Sequence, residues 1–197
     1  VYTSTGALYG AAGVGVPHPL DEENDRPVPA TMYGITKYAS ERTVLRLAEL
    51  WNMDAVVGRL GMVYGKWEYD TGLRDTLSPM GRVLKMAMAG ERAVFRDLVA
   101  QDWIYAIDVA RAIIALVDAP RHDHKVYHLG ANAPFSLKEW CALLAERYPK
   151  FAYATSNNPS EWTVPVSPAL RTKFAVERLH KGLGFKVEFP IDRALDD

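Results

Sequence analysis

Apolar and polar positions alternate between two periods along the chain. Val1 to Thr5 is a short apolar run that reads as a buried strand, and Gly6 and Gly10 open the loop after it. That loop runs through Pro17, Pro19, Asp21, Glu22, Glu23, Asn24, Asp25, Arg26, Pro27 and Pro29, which is acidic, proline-rich and not helical. From Met32 to Trp51 the period becomes helical: Ile35, Tyr38, Val44, Leu45, Leu47, Ala48 and Trp51 form an apolar stripe, with Thr31 as cap. Asp54 to Leu60 returns to a buried-strand pattern that ends at Gly61. Strand, helix and strand in this order predict a parallel pair.

Helices follow over Met80–Ala89 and Ile107–Val117, with strands at Gln101–Ile104 and Lys125–Leu129. Ser136, with Glu139 three residues on, predicts a capping box before the next helix. Ala152–Thr155 reads as a strand and Thr172–Leu179 as a helix closed by Gly182 and Gly184. Alternating strands and helices predict an α/β fold.

Two side chains suggest chemistry. Tyr33 and Lys37 stand four residues apart on the first helix, so they share a face. A free phenol titrates near ~10, and a neighbouring cation favours the phenolate that proton transfer from an alcohol requires. Taken alone, such a pair is equally a solvated helix face. The preceding strand ends in Thr3, Ser4 and Thr5, and open parallel sheets bind ligands at the carboxyl ends of their strands. Thr5 could therefore bond the same substrate oxygen whose proton Tyr33 moves, although hydroxyls there also serve as ordinary strand-end caps.

These segments resemble the extended short-chain dehydrogenase/reductase superfamily, in its NAD-dependent epimerase/dehydratase branch. VYTSTGALYG is similar to that family's hydroxyl strand, with Thr5 four residues before Tyr9-Gly10. Tyr33-Gly34-Ile35-Thr36-Lys37, followed by Ser40-Glu41, matches the Tyr-x-x-x-Lys signature. RLGMVYG (Arg59 to Gly65) resembles the loop that lines the nicotinamide. QDWIYAIDVA (Gln101 to Ala110), VYHLG (Val126 to Gly130) and Leu183-Gly184-Phe185 resemble later elements, all in family order.

The resemblance implies residues 1–65 and 102–131 as the C-terminal part of a doubly wound Rossmann-type parallel sheet. Residues 66–101 and 132–197 would form a smaller α+β substrate lobe. It implies Tyr33 as acid/base, Lys37 on the nicotinamide ribose, Thr5 orienting the substrate and Val63 offering its backbone to the carboxamide. The cofactor would be NAD, with NADP open, and the substrate a sugar, sugar acid or sugar nucleotide. It also implies a homodimer through the Tyr33–Trp51 helix. The competing expectation is a non-catalytic relative that binds a dinucleotide or a partner on the same fold. Convergence of a hydroxyl, a phenol and an ammonium favours the enzyme.

The sequence departs from the family pattern in several places. No glycine-rich phosphate turn is present: Gly10, Gly13 and Gly15 are followed by Pro17 and Pro19 where a helix would start. The expectation is that about a hundred residues of Rossmann half-domain precede Val1, and that the 197 residues alone neither hold NAD(P) tightly nor catalyse. Gly6-Ala7 replaces the Asp-Glu of sugar 4,6-dehydratases, which argues against elimination of water. Met62 stands where epimerases often carry Asn, and Gln101 where they often carry a diphosphate-binding Arg. Both count as candidate substrate contacts, together with Arg74, while Arg92 or Arg96 could also compensate. The tilt is towards a substrate without a nucleotide diphosphate.

Composition narrows the partners. A net charge of −1 and a pI near 6.6 supply no basic field for nucleic acid or an anionic membrane. No membrane-length apolar run or signal peptide is visible, and the single Cys141 falls in a helix-patterned apolar run, so a reducing, cytoplasmic setting is expected. His122, Asp123, His124 and His128 fit no zinc spacing, and His122-Asp123-His124 reads as a solvated turn between helix and strand. Trp51, Trp67, Trp103, Trp140 and Trp162 read as packing or pocket walls. Glu68 to Pro79 is a charged loop that would either cover the substrate or move freely at the surface.

Overall fold

The computed structural model describes residues 1–69, 77–166 and 172–197. Strand β1 (Tyr2–Thr5), helix α1 (Met32–Leu50) and strand β2 (Val57–Leu60) form the first unit, with β6 (Val126–Leu129) on the far side of β2. All three strands are parallel. Tyr2 to Thr5 run opposite Val57 to Leu60, which in turn run opposite Val126 to Leu129. The chain then leaves this sheet at Gly61, and β3 (Met62–Tyr64) pairs parallel with β5 (Trp103–Tyr105). A third parallel pair joins β4 (Arg92–Phe95) to β7 (Ala152–Thr155).

Helix starts follow capping chemistry. Thr31 accepts from the Gly34 amide at α1, and Ser78 accepts from Gly81 at α2 (Pro79–Ala89). Ser136 and Glu139 make the predicted capping box at α4 (Leu137–Arg147). Helix α3 (Ala106–Asp118) begins one residue before the sequence pattern suggests. Two short helices, α5 (Glu177–Gly182) and α6 (Ile191–Asp196), complete the set.

Three apolar clusters hold these elements. Tyr64, Met80, Val83, Phe95, Trp140 and Leu144 centre one beside β3, β4, α2 and α4. Val56, Leu116, Tyr127, Leu129, Leu179 and Phe185 fill another between α3, α5 and the first sheet. Leu8, Tyr9, Leu20, Phe174 and Val176 make the third, over the carboxyl end of β1. Residues from 174 to 185, assigned to the smaller lobe by resemblance, thus share cores with the first sheet.

Several expectations need correction. Gly6–Gly13 is not an open loop but a 3-10 segment kinked at Gly10, because Leu8 and Tyr9 are fully buried and pull it inward. The helix expected at Thr172–Leu179 starts only at Glu177; Lys173 and Ala175 instead exchange backbone hydrogen bonds with Leu20, which keeps this stretch extended. The α1 stripe is narrower than expected. Gly34, Glu41, Leu45 and Ala48 are buried, while Ile35 and Trp51 are 45% and 64% exposed. His128 lies in β6, within the strand expected over Lys125–Leu129, and is fully buried. His122 is also largely covered and bonds the Leu116 carbonyl through Nε2 at 2.7 Å.

Candidate active site

Thr5 is the last residue of β1 and is nearly buried, and its Oγ1 accepts the Ala7 amide at 3.2 Å. The first turn of α1 packs onto that same 3-10 segment. Gly34 is what permits it, since a Cβ there would stand 2.8 Å from the Ala7 carbonyl oxygen. This close approach brings Tyr33's helical turn against the residues that follow Thr5. Tyr33 is 57% exposed. Lys37, one turn on, reaches back to β1: its Nζ donates to the Thr3 carbonyl at 2.6 Å and sits 4.6 Å from the centre of the Tyr2 ring. An ammonium carries three donors, and Thr3 takes one, so the donor set fits the vicinal hydroxyls of a ribose.

Met62 and Val63 are half-buried in β3, opposite Trp103 and Ile104. Gln101 forms a two-way backbone bridge with Phe135 and lines a cleft of about 240 Å³ with Pro17, His18, Pro19 and Lys173. Thr5, Tyr33 and Lys37 are not among the cleft's lining residues. Asp102, beside Gln101, is buried, and burial pushes its carboxyl up against the opposing bonds from Ala133, Asn132 and Phe174 amides. Arg74 lies outside the described residues.

Sequence reasoning missed a buried polar network under α1. Glu41 holds Arg59, Arg59 donates to the Tyr9 hydroxyl, and that hydroxyl bonds His128. Burial works against Arg59's charge, yet the bonds to Glu41 and Tyr9 keep the guanidinium firmly protonated. Burial and then the Arg59 charge push His128 down to about 3, so its imidazole is neutral. Burial also raises the Tyr9 phenol, which stays protonated. Tyr9, Glu41 and Arg59 all fall in the family-like segments, but nothing in their spacing says that they meet, and Glu41 four residues after Lys37 equally suits a solvated ion pair.

Residues 1–130 match the NAD dependent epimerase/dehydratase family. The chain belongs to this family. Among curated relatives, the protein CapI of Staphylococcus aureus is similar at 23% identity, covering 97% of this chain and 59% of that protein. The 2'-dehydrokanamycin reductase of Streptomyces kanamyceticus is 32% identical over 66% of this chain and 36% of its own length. The chain superposes on UDP-glucuronic acid 4-epimerase from Bacillus cereus, solved with UDP-glucuronic acid and NAD. That likeness has a TM-score of 0.76 at 19% identity, over 98% of this chain and 58% of that one. The structural likeness carries the family's α/β fold, a Rossmann-type parallel sheet with a smaller lobe. The chain spans about three-fifths of the length of the two curated relatives whose matches run along nearly all of it.

Proposed function

We propose that this chain carries the acid/base machinery of an NAD(P)-dependent oxidoreductase or epimerase acting at a hydroxyl or keto carbon of a sugar, sugar acid or sugar nucleotide. The observation that carries this reading is the anchoring of Lys37 on the Thr3 carbonyl within β1, one helical turn from Tyr33. When bound, nicotinamide supplies the hydride acceptor or donor. The chain's residues do the rest. Tyr33 takes the proton from the substrate hydroxyl as its carbon is oxidised, and returns it on reduction. The Lys37 ammonium binds the nicotinamide ribose beside Tyr33. Thr5's hydroxyl, whose oxygen already accepts from Ala7, donates its hydrogen to the substrate oxygen and orients it. Val63's backbone serves the carboxamide, and Met62 and Gln101 contact the substrate.

In the same reading, residues 1–65 and 102–131 form the cofactor-side domain and residues 66–101 and 132–197 the substrate lobe, of which the stretch 174–185 packs back onto the first sheet. The exposed Tyr33–Trp51 helix pairs with its copy in a homodimer, in the cytoplasm. Among the described residues no helix is long and apolar enough to cross a membrane. The test is an assay of the full-length protein with sugars, sugar acids and sugar nucleotides, each with NAD and NADP. Cofactor-dependent oxidation or epimerisation of at least one carbinol supports the reading. Tight cofactor binding with no turnover across the panel would favour a non-catalytic relative instead.

A further inference from the structure

Glu41 and Arg59 form an ion pair that the proposed chemistry does not use. Glu41 is 0% exposed and sits one turn beyond Lys37 on α1; Arg59 is 4% exposed in β2, opposite Ser4 of β1. The contact is two-pronged, Nη2 to Oε1 at 2.7 Å and Nε to Oε2 at 3.2 Å. The third arm of the guanidinium, Nη1, donates to the Tyr9 hydroxyl at 2.6 Å. Because that oxygen accepts from Arg59, its own hydrogen goes to His128 Nε2, also at 2.6 Å. The neutral imidazole then carries its hydrogen on Nδ1 and donates to the Ala175 carbonyl at 3.2 Å. From Arg59 in β2 the donated bonds thus run one way to Glu41 on α1 and the other way through Tyr9 in the 3-10 segment and His128 in β6 to the extended stretch before α5.

Stability alone does not account for such an arrangement. Two charges lose their water here, and apolar residues of similar volume commonly hold a fold equally well. A forked, fully buried pair supplies registry instead: it permits one azimuth and one depth of α1 on the sheet. Tyr33, Lys37 and Glu41 are spaced i, i+4 and i+8, so the turn that Glu41 fixes also fixes theirs. Lys37 and Arg59 reach adjacent residues of β1, Thr3 by hydrogen bond and Ser4 by register.

We infer that Glu41 and Arg59 are positioning residues, setting α1 on β1 so that Lys37 and Tyr33 meet the nicotinamide ribose. This rests on the reading of Lys37 as a ribose ligand. The test uses the full-length protein and two probes: NADH (or NADPH, if bound more tightly), and ADP, which lacks the nicotinamide ribose. In the double variant Glu41→Met/Arg59→Met, affinity for the reduced cofactor should fall roughly tenfold while ADP binds as in the wild type. Lys37→Met should give a comparable loss. Combining all three changes should lose less than the product of the separate effects, because both act through one ammonium. Unchanged cofactor affinity, equal weakening of cofactor and ADP, or fully multiplicative losses would each overturn the inference. If Lys37→Met alone has no effect, the reading of Lys37 falls and takes this inference with it. Should the double variant not fold, Arg59→Lys keeps the charge and loses the fork. It should show the same selective loss, and no loss or an unselective one overturns the inference.

Discussion

His128 ties a single residue to the stability of the whole chain. Its folded value of about 3 lies below the ordinary 6.5, so between these two the unfolded chain binds the additional proton. Stability from this group is fully present above the ordinary value and is lost as pH falls towards the folded one. The slope is at most about 1.4 kcal/mol per pH unit. Urea unfolding at a series of pH values should show this decline on acidification, and His128→Gln should flatten it; an unaltered slope would contradict the buried, neutral assignment. Cys141 behaves in the opposite sense. Burial pushes its thiol up to about 12, so it should resist alkylation in the native protein and react on unfolding, as peptide mapping by mass spectrometry would show. Cys141 was legible as a core residue because it sits among helically spaced apolar neighbours. The strand that holds His128 was legible too, but its bond to Tyr9 was not, because the partner lies far away along the chain.

At the scale of elements, local chemistry was the readable part. The Ser136–Glu139 box has its signature in the spacing, and both bonds are made, with Glu139 Oε2 accepting the Ser136 amide at 2.7 Å. Ser136→Ala should therefore cost about 1 kcal/mol in denaturant unfolding, and no change would mean that α4 is held by packing alone. Strands β3 and β4 escaped notice because three or four residues are too few to establish a period of two, and Arg92 begins β4 with a charge. The stretch Thr172–Val176 misled for a related reason. Phe174, Val176 and Leu179 fit helical spacing loosely, but Phe174 stacks on His128 with centroids 4.0 Å apart, and Leu20 takes the backbone bonds. Long-range pairing overrode the local pattern.

At the scale of the molecule, order along the chain made the family legible. Thr5, Tyr33, Lys37 and the strand motifs follow one another as the sheet needs them, and the parallel order β1-β2-β6 agrees. The Glu41–Arg59 pair was hidden because a buried and a solvated ion pair look alike in sequence. The central claim is that Tyr33 moves the proton at the substrate carbon. It is tested most directly by comparing kcat of the full-length protein with that of Tyr33→Phe, on a sugar substrate found in the cofactor-dependent panel. The phenol deletion keeps the ring and removes only the transferable proton. A loss of about 10² to 10⁴ in kcat with little change in cofactor affinity is the predicted result; turnover equal to the wild type would contradict the account.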